Sequence, residues 1–303
     1  MSQEPRQKSI SIFAPAKVNL YLHVLGKLSN GYHNLDSLVG FADIGDEIQL
    51  EPSTDFEFEI SGHFASAFQA KDLNATPDSS NLVVKAVWGL SRLSGKAPNV
   101  KVTLVKNLPL GAGLGGGSAD AAAVLWGLID YWELSHNLDG LDALMVSLGA
   151  DVPVCFKSQT THVQGLGDQL FKAPDLPETP VVFVHPGKHC STSKIFTMCG
   201  ENFSQPVQLP PHFQTQEDLV IFLQKTDNAL TARAINEIPE IRNILYILEN
   251  ENGCALSRMT GSGSACFGLF PSEDHAQNAA KNIQQENPDW WVYSGWLGRT
   301  NRY

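Results

Sequence analysis

The stretch PLGAGLGGGSADAAA, residues 109–123, is the most informative part of this sequence. Five of the seven residues 111–117 are glycine, the residue whose backbone loses most entropy on ordering. A tight turn needs one or two glycines, so five indicate backbone N–H groups that approach a ligand closely. The loop follows a strand pattern and precedes a helix that we predict to begin at Ser118, a good N-cap residue. Because a helix N-terminus favours anions, the stretch predicts a phosphate-binding loop, with the Ser118 hydroxyl near a phosphate oxygen or Mg²⁺.

Two familiar phosphate motifs do not describe this loop. A Walker A motif requires a lysine directly after its last glycine, and no lysine follows Gly116. Gly111, Gly113 and Gly116 satisfy GxGxxG, but a dinucleotide fold needs a strand ending in an acidic residue after the first helix. Here two predicted helices follow in succession, and the nearest acids, Asp130 and Glu133, lie inside or at the end of the first. The match to a dinucleotide motif is therefore accidental.

Composition excludes several classes of protein. The chain has 303 residues, of which 43% are hydrophobic and 17% charged, and a formal net charge of -11. This negative charge disfavours nucleic acid and anionic membranes as partners. The first ten residues are polar and lead into no signal-peptide pattern, and no apolar run would span a bilayer. The five cysteines are scattered and the nine histidines show no zinc spacing. We expect a soluble, cytoplasmic protein with reduced thiols; the residue pattern does not indicate its oligomeric state.

The first half of the chain mixes strand and helix patterns. Residues 56–60 and 100–104 alternate between apolar and polar side chains, as in strands with one wet face. Residues 81–93 carry an apolar stripe at helical spacing, and Asn81 is a candidate N-cap. The helix from Ser118 extends to about residue 132, and a second helix over 138–148 ends at Gly149.

After Asp151 the chain changes character. Proline-rich loops separate further elements, which we predict as strands at 181–184, 265–270 and 290–296 and helices at 241–249 and 273–285. This alternation predicts an α+β fold of two domains, over residues 1–160 and 161–303.

Two other segments complete a set of motifs. PAKVNLYLHVLGKLSNGYHNL (residues 15–35) and TGSGSACFGLF (residues 260–270), together with the glycine loop, resemble the three motifs of the galactokinase–homoserine kinase–mevalonate kinase–phosphomevalonate kinase (GHMP) superfamily. GYH at 31–33 and LGADVP at 148–153 resemble one branch in particular. That branch uses ATP to phosphorylate the 2-hydroxyl of a cytidine diphosphate-linked methylerythritol on the non-mevalonate route to isoprenoid precursors. The resemblance runs in order from Ala14 to Phe270.

The resemblance implies a fold and a set of contacts. The fold is a two-domain GHMP kinase fold with an N-terminal ATP-binding domain, an α+β substrate-binding domain and the active site in the cleft; the last strand can return to the first domain. The resemblance places the cytosine-bearing acceptor against Asn19, Tyr32, His33, Thr192 and Phe196, with Tyr32 and Phe196 sandwiching the base. Core packing is the alternative for Phe196. The residues expected to bind ATP are Asn81, Leu82, Lys106, Pro109, Leu110, Gly111, Ala112, Gly113, Leu114, Gly115, Gly116, Gly117, Ser118 and Ala119. No Walker B-type acid is present, so Mg²⁺ would be held mainly by ATP phosphates.

Lys17 and Asp151 match the catalytic pair of the superfamily, and their chemistry also makes sense alone. Phosphoryl transfer needs an oriented hydroxyl, a proton acceptor and cationic cover for the transferred group. Asp151 lies in an otherwise apolar stretch, where a carboxylate needs a partner such as Lys17 to stay ionised. A purely structural ion pair is the alternative. Whether Asp151 takes the proton or only orients the hydroxyl stays open.

Other functions are also compatible with parts of the sequence. Another GHMP small-molecule kinase, acting on homoserine, mevalonate or a sugar, would share the glycine loop but not GYH. A nucleotide-binding regulator without catalysis would share the loop, but the presence of both Lys17 and Asp151 disfavours it.

Overall fold

The structure is a computed structural model that describes residues 9–29, 31–200 and 202–299. Residues 1–8, which contribute to the expectation about signal peptides, lie outside these ranges. The described residues form ten strands, nine α-helices and two 3-10 helices, Ala65–Ala67 and Ala70–Leu73. The strands are β1 (Ile10–Lys27), β2 (His33–Pro52), β3 (Glu57–Ser61), β4 (Val100–Val105), β5 (Thr161–Gly165), β6 (Gln169–Lys172), β7 (Thr179–His185), β8 (Leu256–Met259), β9 (Cys266–Leu269) and β10 (Trp291–Leu297). The α-helices are α1 (Leu82–Ser94), α2 (Gly116–Tyr131), α3 (Leu141–Leu148), α4 (Val152–Lys157), α5 (Thr192–Thr197), α6 (Gln216–Leu223), α7 (Thr231–Glu237), α8 (Glu240–Asn250) and α9 (Glu273–Glu286).

One long strand, β2, organises the N-terminal half of the sheet. It pairs antiparallel with β1, β4 and β5, and β3 adds to β4 in parallel. In the C-terminal half, the order β10–β7–β9–β8 is antiparallel throughout. The two halves join where Leu297 of β10 pairs with Ala42 of β2. The α+β class is confirmed, while the division into domains near residue 160 stays a prediction.

Helices α1 and α2 cover the N-terminal strands. Asn81 is the N-cap of α1, since its side chain accepts a hydrogen bond from the Val83 N–H at 2.9 Å, and Gly95 ends the helix in the left-handed conformation. Helix α2 is rich in buried alanines, which let it approach the sheet closely. At Gly127 a Cβ would lie 2.5 Å from Ile12 Cδ1, so the helix could not sit so near β1 with any larger residue there.

The C-terminal half has its own apolar core and a buried cation that ties it to β1. Helix α8 buries Ile241, Ile244 and Leu248, spaced as one face of a helix, against β8 and β9. The buried Arg258 donates hydrogen bonds to three carbonyl oxygens, including Leu20 O on β1 at 2.7 Å. Burial lowers the pKa of Arg258 to about 10. These bonds satisfy the buried guanidinium, and the one to Leu20 O holds the second half of the chain against β1.

The structure corrects three predicted boundaries. Helix α2 begins at Gly116 rather than Ser118, because Gly115 adopts a left-handed conformation and the following glycines are already helical. Helix α3 begins at Leu141, after Gly140, rather than at residue 138. Asp151 does not simply follow a helix: it is the N-cap residue of the short helix α4, which the sequence pattern did not predict. In the part of the chain that the structure describes, no helix is both long and apolar enough to cross a membrane.

Candidate active site

A cavity of about 730 Å³ lies between the glycine loop and segments from both halves of the chain. The cavity is lined by the loop 109–118 and residues 80–83, and also by His189, Gly261, Ser262 and two residues of helix α5. The predicted site residues that line this cavity are Lys17, Asn19, Asn81, Leu82, Lys106, Pro109, Leu110, Gly111, Ala112, Gly113, Leu114, Gly115, Gly116, Gly117, Ser118, Asp151, Thr192 and Phe196. The structure therefore brings together residues from all three sequence motifs.

The glycine loop owes its shape to left-handed backbone. Gly111, Gly113 and Gly115 have φ of 62°, 79° and 65°, a region that side chains disfavour. At Gly113 a Cβ would also lie 2.4 Å from the carbonyl oxygen of Thr260, so only glycine fits there. The loop is anchored on both sides, since the Lys17 N–H donates to Leu114 O and the Ala265 N–H donates to Ala112 O, each at 2.9 Å. The first turn of α2, whose N–H groups have no acceptor within the helix, faces the same cavity.

Lys17 and Asp151 meet at the floor of this cavity. Lys17 Nζ lies 3.1 Å from Asp151 Oδ2, although the two residues come from β1 and from the N-terminus of α4. Lys17 is buried, whereas the Asp151 side chain is 43% exposed. The ammonium also donates to Asn19 Oδ1 at 2.7 Å. The pair is thus held on the protein side and open on the cavity side.

Asn19 holds Lys17 through a chain of hydrogen bonds. The Asn19 amide donates to Ser37 Oγ at 2.8 Å, and Ser37 Oγ donates to the Tyr21 carbonyl. The Asn19 backbone N–H donates to Thr260 Oγ1 at 2.9 Å, and Thr260 Oγ1 in turn lies 3.3 Å from Gly113 O. Because each polar atom in the chain has a partner, the lysine, the glycine loop and the 260–264 turn are fixed relative to one another.

Lys106 lines the cavity, but its ammonium is already engaged. It lies 2.5 Å from Asp46 Oδ2 and 2.6 Å from Asp120 Oδ2, and all three side chains are buried. Asp46 Oδ1 accepts hydrogen bonds from the backbone N–H groups of Asn107 and Leu108. This cluster, called the buried triad below, therefore connects the chain before the loop to the helix after it. Lys106 was expected to bind ATP, and its geometry fits a residue that holds the loop in place.

The buried triad carries more carboxylates than cations. Burial raises the pKa of Asp120 well above its usual range, against the opposing field of the Lys106 ammonium. Burial disfavours the Lys106 ammonium, but the two carboxylates outweigh this effect and raise its pKa. Asp120 Oδ1 is buried and has no hydrogen-bond partner among the described residues.

The expected acceptor residues are only partly assembled. Thr192 Oγ1 lies 2.8 Å from Ser262 Oγ at the cavity wall. The ring of Phe196 contacts His33, with centroids 5.6 Å apart and planes tilted by 33°. Burial, followed by the charges of Lys27 and Arg233, lowers the pKa of His33. Tyr32 is 66% exposed and, like His33, is not among the residues that line the cavity.

Ala119 is the one expected ATP contact that the structure turns away from the cavity. Its side chain is buried in the apolar core beneath α2, and its N–H donates to Gly115 O within the helix at 2.9 Å. Helix α2 begins earlier than predicted, so Ala119 already belongs to its second turn.

Sequence reasoning missed six polar residues of this region: Ser37, Asp46, Asp120, His189, Thr260 and Ser262. Thr260 and Ser262 lie in one of the three motifs, but nothing in their spacing singles them out from their neighbours. Asp120 comes just after a loop that is predicted to bind phosphate, where a negative charge is unexpected. That position was the only sign in the sequence that Asp120 has a special role. The others depend on strand register or loop packing.

Two family models match the chain. The model described as GHMP kinases N terminal domain matches residues 81–162, and the model described as GHMP kinases C terminal matches residues 216–289. The first match contains the glycine loop and Asp151, and the second contains the turn at 260–264.

Curated relatives match over nearly the whole chain. The 4-diphosphocytidyl-2-C-methyl-D-erythritol kinase of Paramagnetospirillum magneticum is 40% identical over 286 residues, which cover 94% of this chain and 97% of the relative. That of Roseobacter denitrificans is 37% identical over 298 residues, covering 97% and 95%. The chain belongs to the 4-diphosphocytidyl-2-C-methyl-D-erythritol kinase family of GHMP kinases. It is a small-molecule kinase, and its family implies ATP as the phosphoryl donor.

Solved structures confirm the GHMP kinase fold. A crystal structure of 4-(cytidine 5'-diphospho)-2C-methyl-D-erythritol kinase superposes with a TM-score of 0.75 and 29% identity, covering 96% of this chain and all of the other. A homoserine kinase from Cytophaga hutchinsonii superposes with a TM-score of 0.67 at 17% identity, covering 97% and 96%, which shows the shared fold alone.

Proposed function

We propose that this kinase transfers the γ-phosphoryl group of ATP to the 2-hydroxyl of 4-diphosphocytidyl-2-C-methyl-D-erythritol, a step toward isoprenoid precursors. The observation that carries the proposal is the Lys17–Asp151 pair, 3.1 Å apart in a cavity that the glycine loop also lines. A cytoplasmic location is part of the proposal, and the five free thiols suit a reducing compartment.

Asp151 is positioned to act on the acceptor hydroxyl. Its carboxylate is partly exposed to the cavity while one oxygen is held by Lys17, so it can accept a hydrogen bond from the hydroxyl and orient it for in-line attack. The same carboxylate can take the proton as the new P–O bond forms. Lys17, fixed by Asn19, holds the Asp151 carboxylate in place and puts a positive charge beside the transferred phosphoryl group.

The glycine loop supplies the cradle for the ATP phosphates. Its backbone N–H groups and the N-terminus of α2 present partial positive charge without side-chain bulk. Asn81 and Leu82, with neighbouring residues 80 and 83, line the same cavity away from Asp151 and would contact the adenine. Asn81 Oδ1 already caps α1, so the contact to the base would come from the rest of this segment.

The residues present fit a Mg²⁺ ion that arrives with ATP. Ser118 and Asp151 both line the cavity, and a Cβ at Gly149 would lie 3.8 Å from Ser118 Oγ, so the hydroxyl lies close to the Asp151 segment. Hard oxygen donors of this kind suit Mg²⁺. Because the described residues hold no group of three or more acidic, histidine or cysteine ligands, ATP phosphates would supply most of the coordination. The bound ion would neutralise phosphate charge.

The acceptor would lie between Asn19 and helix α5. Thr192 and Phe196 of α5 line the cavity, and His33 packs on Phe196. A cytosine ring can stack on Phe196, and the His33 imidazole can hydrogen-bond its polar edge. Tyr32 would have to move from its exposed position to complete an aromatic sandwich.

A coupled ADP-release assay on the purified protein tests this function. 4-diphosphocytidyl-2-C-methyl-D-erythritol should stimulate ADP release, and mass spectrometry with phosphorus NMR should locate one new phosphate on the 2-hydroxyl. Homoserine, mevalonate and galactose are the matched acceptors. Preferred turnover of one of these, or ADP release that no acceptor stimulates, would contradict the proposal.

A further inference from the structure

The cavity holds few positive charges for the anions it is expected to bind. Among the described residues that line it, three side chains can be cationic: Lys17, Lys106 and His189. Lys17 is paired with Asp151, and Lys106 is shared by two buried aspartates. No carboxylate lies within ion-pair distance of His189 in the described ranges. A triphosphate and a diphosphate need donors, and His189 is the candidate that is not already engaged.

His189 is held directly against the glycine loop. Its ring packs so closely on Gly111 that a Cβ there would lie 1.8 Å from His189 Cδ2 and 2.4 Å from Nε2. The next residue, Cys190, donates its N–H to Gly111 O at 3.3 Å. The combination of left-handed backbone and an imposed ring contact therefore requires glycine at position 111.

The residues around His189 are fixed by contacts that do not involve the cavity. The Lys188 ammonium lies 2.5 Å from Glu240, and the Lys188 carbonyl accepts a hydrogen bond from Ser264 Oγ. Burial lowers the pKa of His185 to about 4, so His185 adds no charge at neutral pH. His189 itself stays exposed at the cavity wall, in the segment that leads to Thr192.

We infer that His189 donates a hydrogen bond to a phosphate group bound in this cavity. The phosphate belongs either to the nucleotide or to the diphosphate of the acceptor, since His189 packs on Gly111 of the glycine loop and lines the same cavity as Thr192 and Phe196. The inference rests on the proposed function only in requiring that such phosphate compounds bind here. It gives the loop a side-chain donor from the C-terminal half of the chain.

Equilibrium binding tests the inference without turnover. Isothermal titration calorimetry would compare His189→Leu, which removes the donor, with His189→Gln, which keeps an N–H near the same place. His212→Leu, at an exposed loop position outside the cavity lining, is the matched control. The ligands are the ATP analogue AMPPNP and CDP, each paired with its nucleoside, adenosine or cytidine.

We expect His189→Leu to raise the dissociation constant of one phosphate ligand about tenfold. This is the effect of losing one charge-assisted hydrogen bond. For His189→Gln and for the control, the dissociation constants should stay within about threefold of the wild-type values. Loss confined to AMPPNP identifies the nucleotide phosphates, and loss confined to CDP identifies the acceptor diphosphate. Unchanged affinity for both, equal loss for the nucleosides, or a glutamine variant as weak as the leucine variant would overturn the inference. Inactivity toward the acceptor would contradict the proposed function but leave these binding results interpretable.

Discussion

Two lysine–carboxylate clusters line the same cavity, and they differ in exposure and in charge. Lys17 has one carboxylate partner, Asp151, whose side chain remains partly open to the cavity. Lys106 has two partners, Asp46 and Asp120, and all three side chains are buried. A partly open carboxylate can reach a substrate, whereas a buried cluster can act only through the backbone that it holds. We therefore propose that similar side chains serve chemistry at the Lys17–Asp151 pair and hold the geometry of the loop at the buried triad.

The largest expected effect is the loss of kcat when either residue of the Lys17–Asp151 pair is replaced. Asp151→Asn removes the charge that orients the hydroxyl and accepts its proton while preserving size. We expect kcat to fall about a thousandfold, within the range for losing general-base and positioning catalysis. Lys17→Met should reduce kcat by a similar order, and ATP binding should survive in both. Steady-state kinetics with ATP titration and a thermal melt measure this; near-normal kcat in a folded variant would remove the catalytic assignment.

Substitutions in the buried triad should lower the stability of the protein, and not only kcat. Lys106→Met leaves two carboxylates buried without a cation, a change that typically costs about 3–5 kcal/mol. We expect a large drop in thermal midpoint and a raised KM for ATP in the fraction that folds. Lys101→Met is the control, because Lys101 lies on β4, the strand that ends just before Lys106, and pairs with Glu59 at 2.9 Å at the surface. An unchanged melt for Lys106→Met would show that the buried triad does not hold the loop.

A third prediction concerns Phe196, which we expect to affect acceptor binding rather than the chemical step. Phe196→Ala removes the ring that would stack on cytosine, an interaction worth about 1–3 kcal/mol per base. We expect KM for the cytidylated acceptor to rise about fivefold to a hundredfold, with kcat changed far less than in Asp151→Asn. Initial-rate kinetics at saturating ATP measure the split. If KM is unchanged, Phe196 belongs to the core with His33 rather than to the acceptor site.

The contrast between the two clusters also marks how far the sequence could predict the site. The glycine loop was predicted from its own composition, and the pairing of Lys17 with Asp151 was expected from the resemblance to the GHMP superfamily; the structure places all of them in one cavity, while their roles stay a prediction. The partners of Lys106 could not be predicted in this way: Asp46 lies 60 positions away, and it meets Lys106 only because β2 pairs with β4 in one register. Tyr32 was expected in the cavity and lies outside it, because a motif fixes residue identity but not the direction of a side chain in a turn.

The same reasoning applies to the fold. Strong periodicity predicted the α+β class and the main helices, since apolar spacing reports directly on burial. It failed at the boundaries set by glycine, at Gly115 and Gly140, where backbone conformation rather than side-chain pattern begins the helix. The position of His189 had no sequence signal, because the loop that carries it is placed by contacts with Gly111 and Ser264.

The smallest expected effect tests the charge balance of the buried triad. Burial raises the folded-state pKa of Asp120, so its contribution to stability is fully present below the unfolded pKa and is lost as pH rises through the folded value. Asp120→Asn keeps an oxygen acceptor for Lys106 and removes the titration. We therefore expect the thermal midpoint of this variant, relative to the wild type, to improve by a few degrees as pH increases above the ordinary carboxyl pKa of 3.8, with kcat nearly unchanged. Melts from pH 5 to 9 would measure the difference, and the Lys101→Met variant should follow the wild type throughout. A difference that shrinks or reverses with increasing pH would mean that Asp120 is stabilised as a carboxylate, and that the buried triad resembles the Lys17–Asp151 pair more closely than its burial indicates.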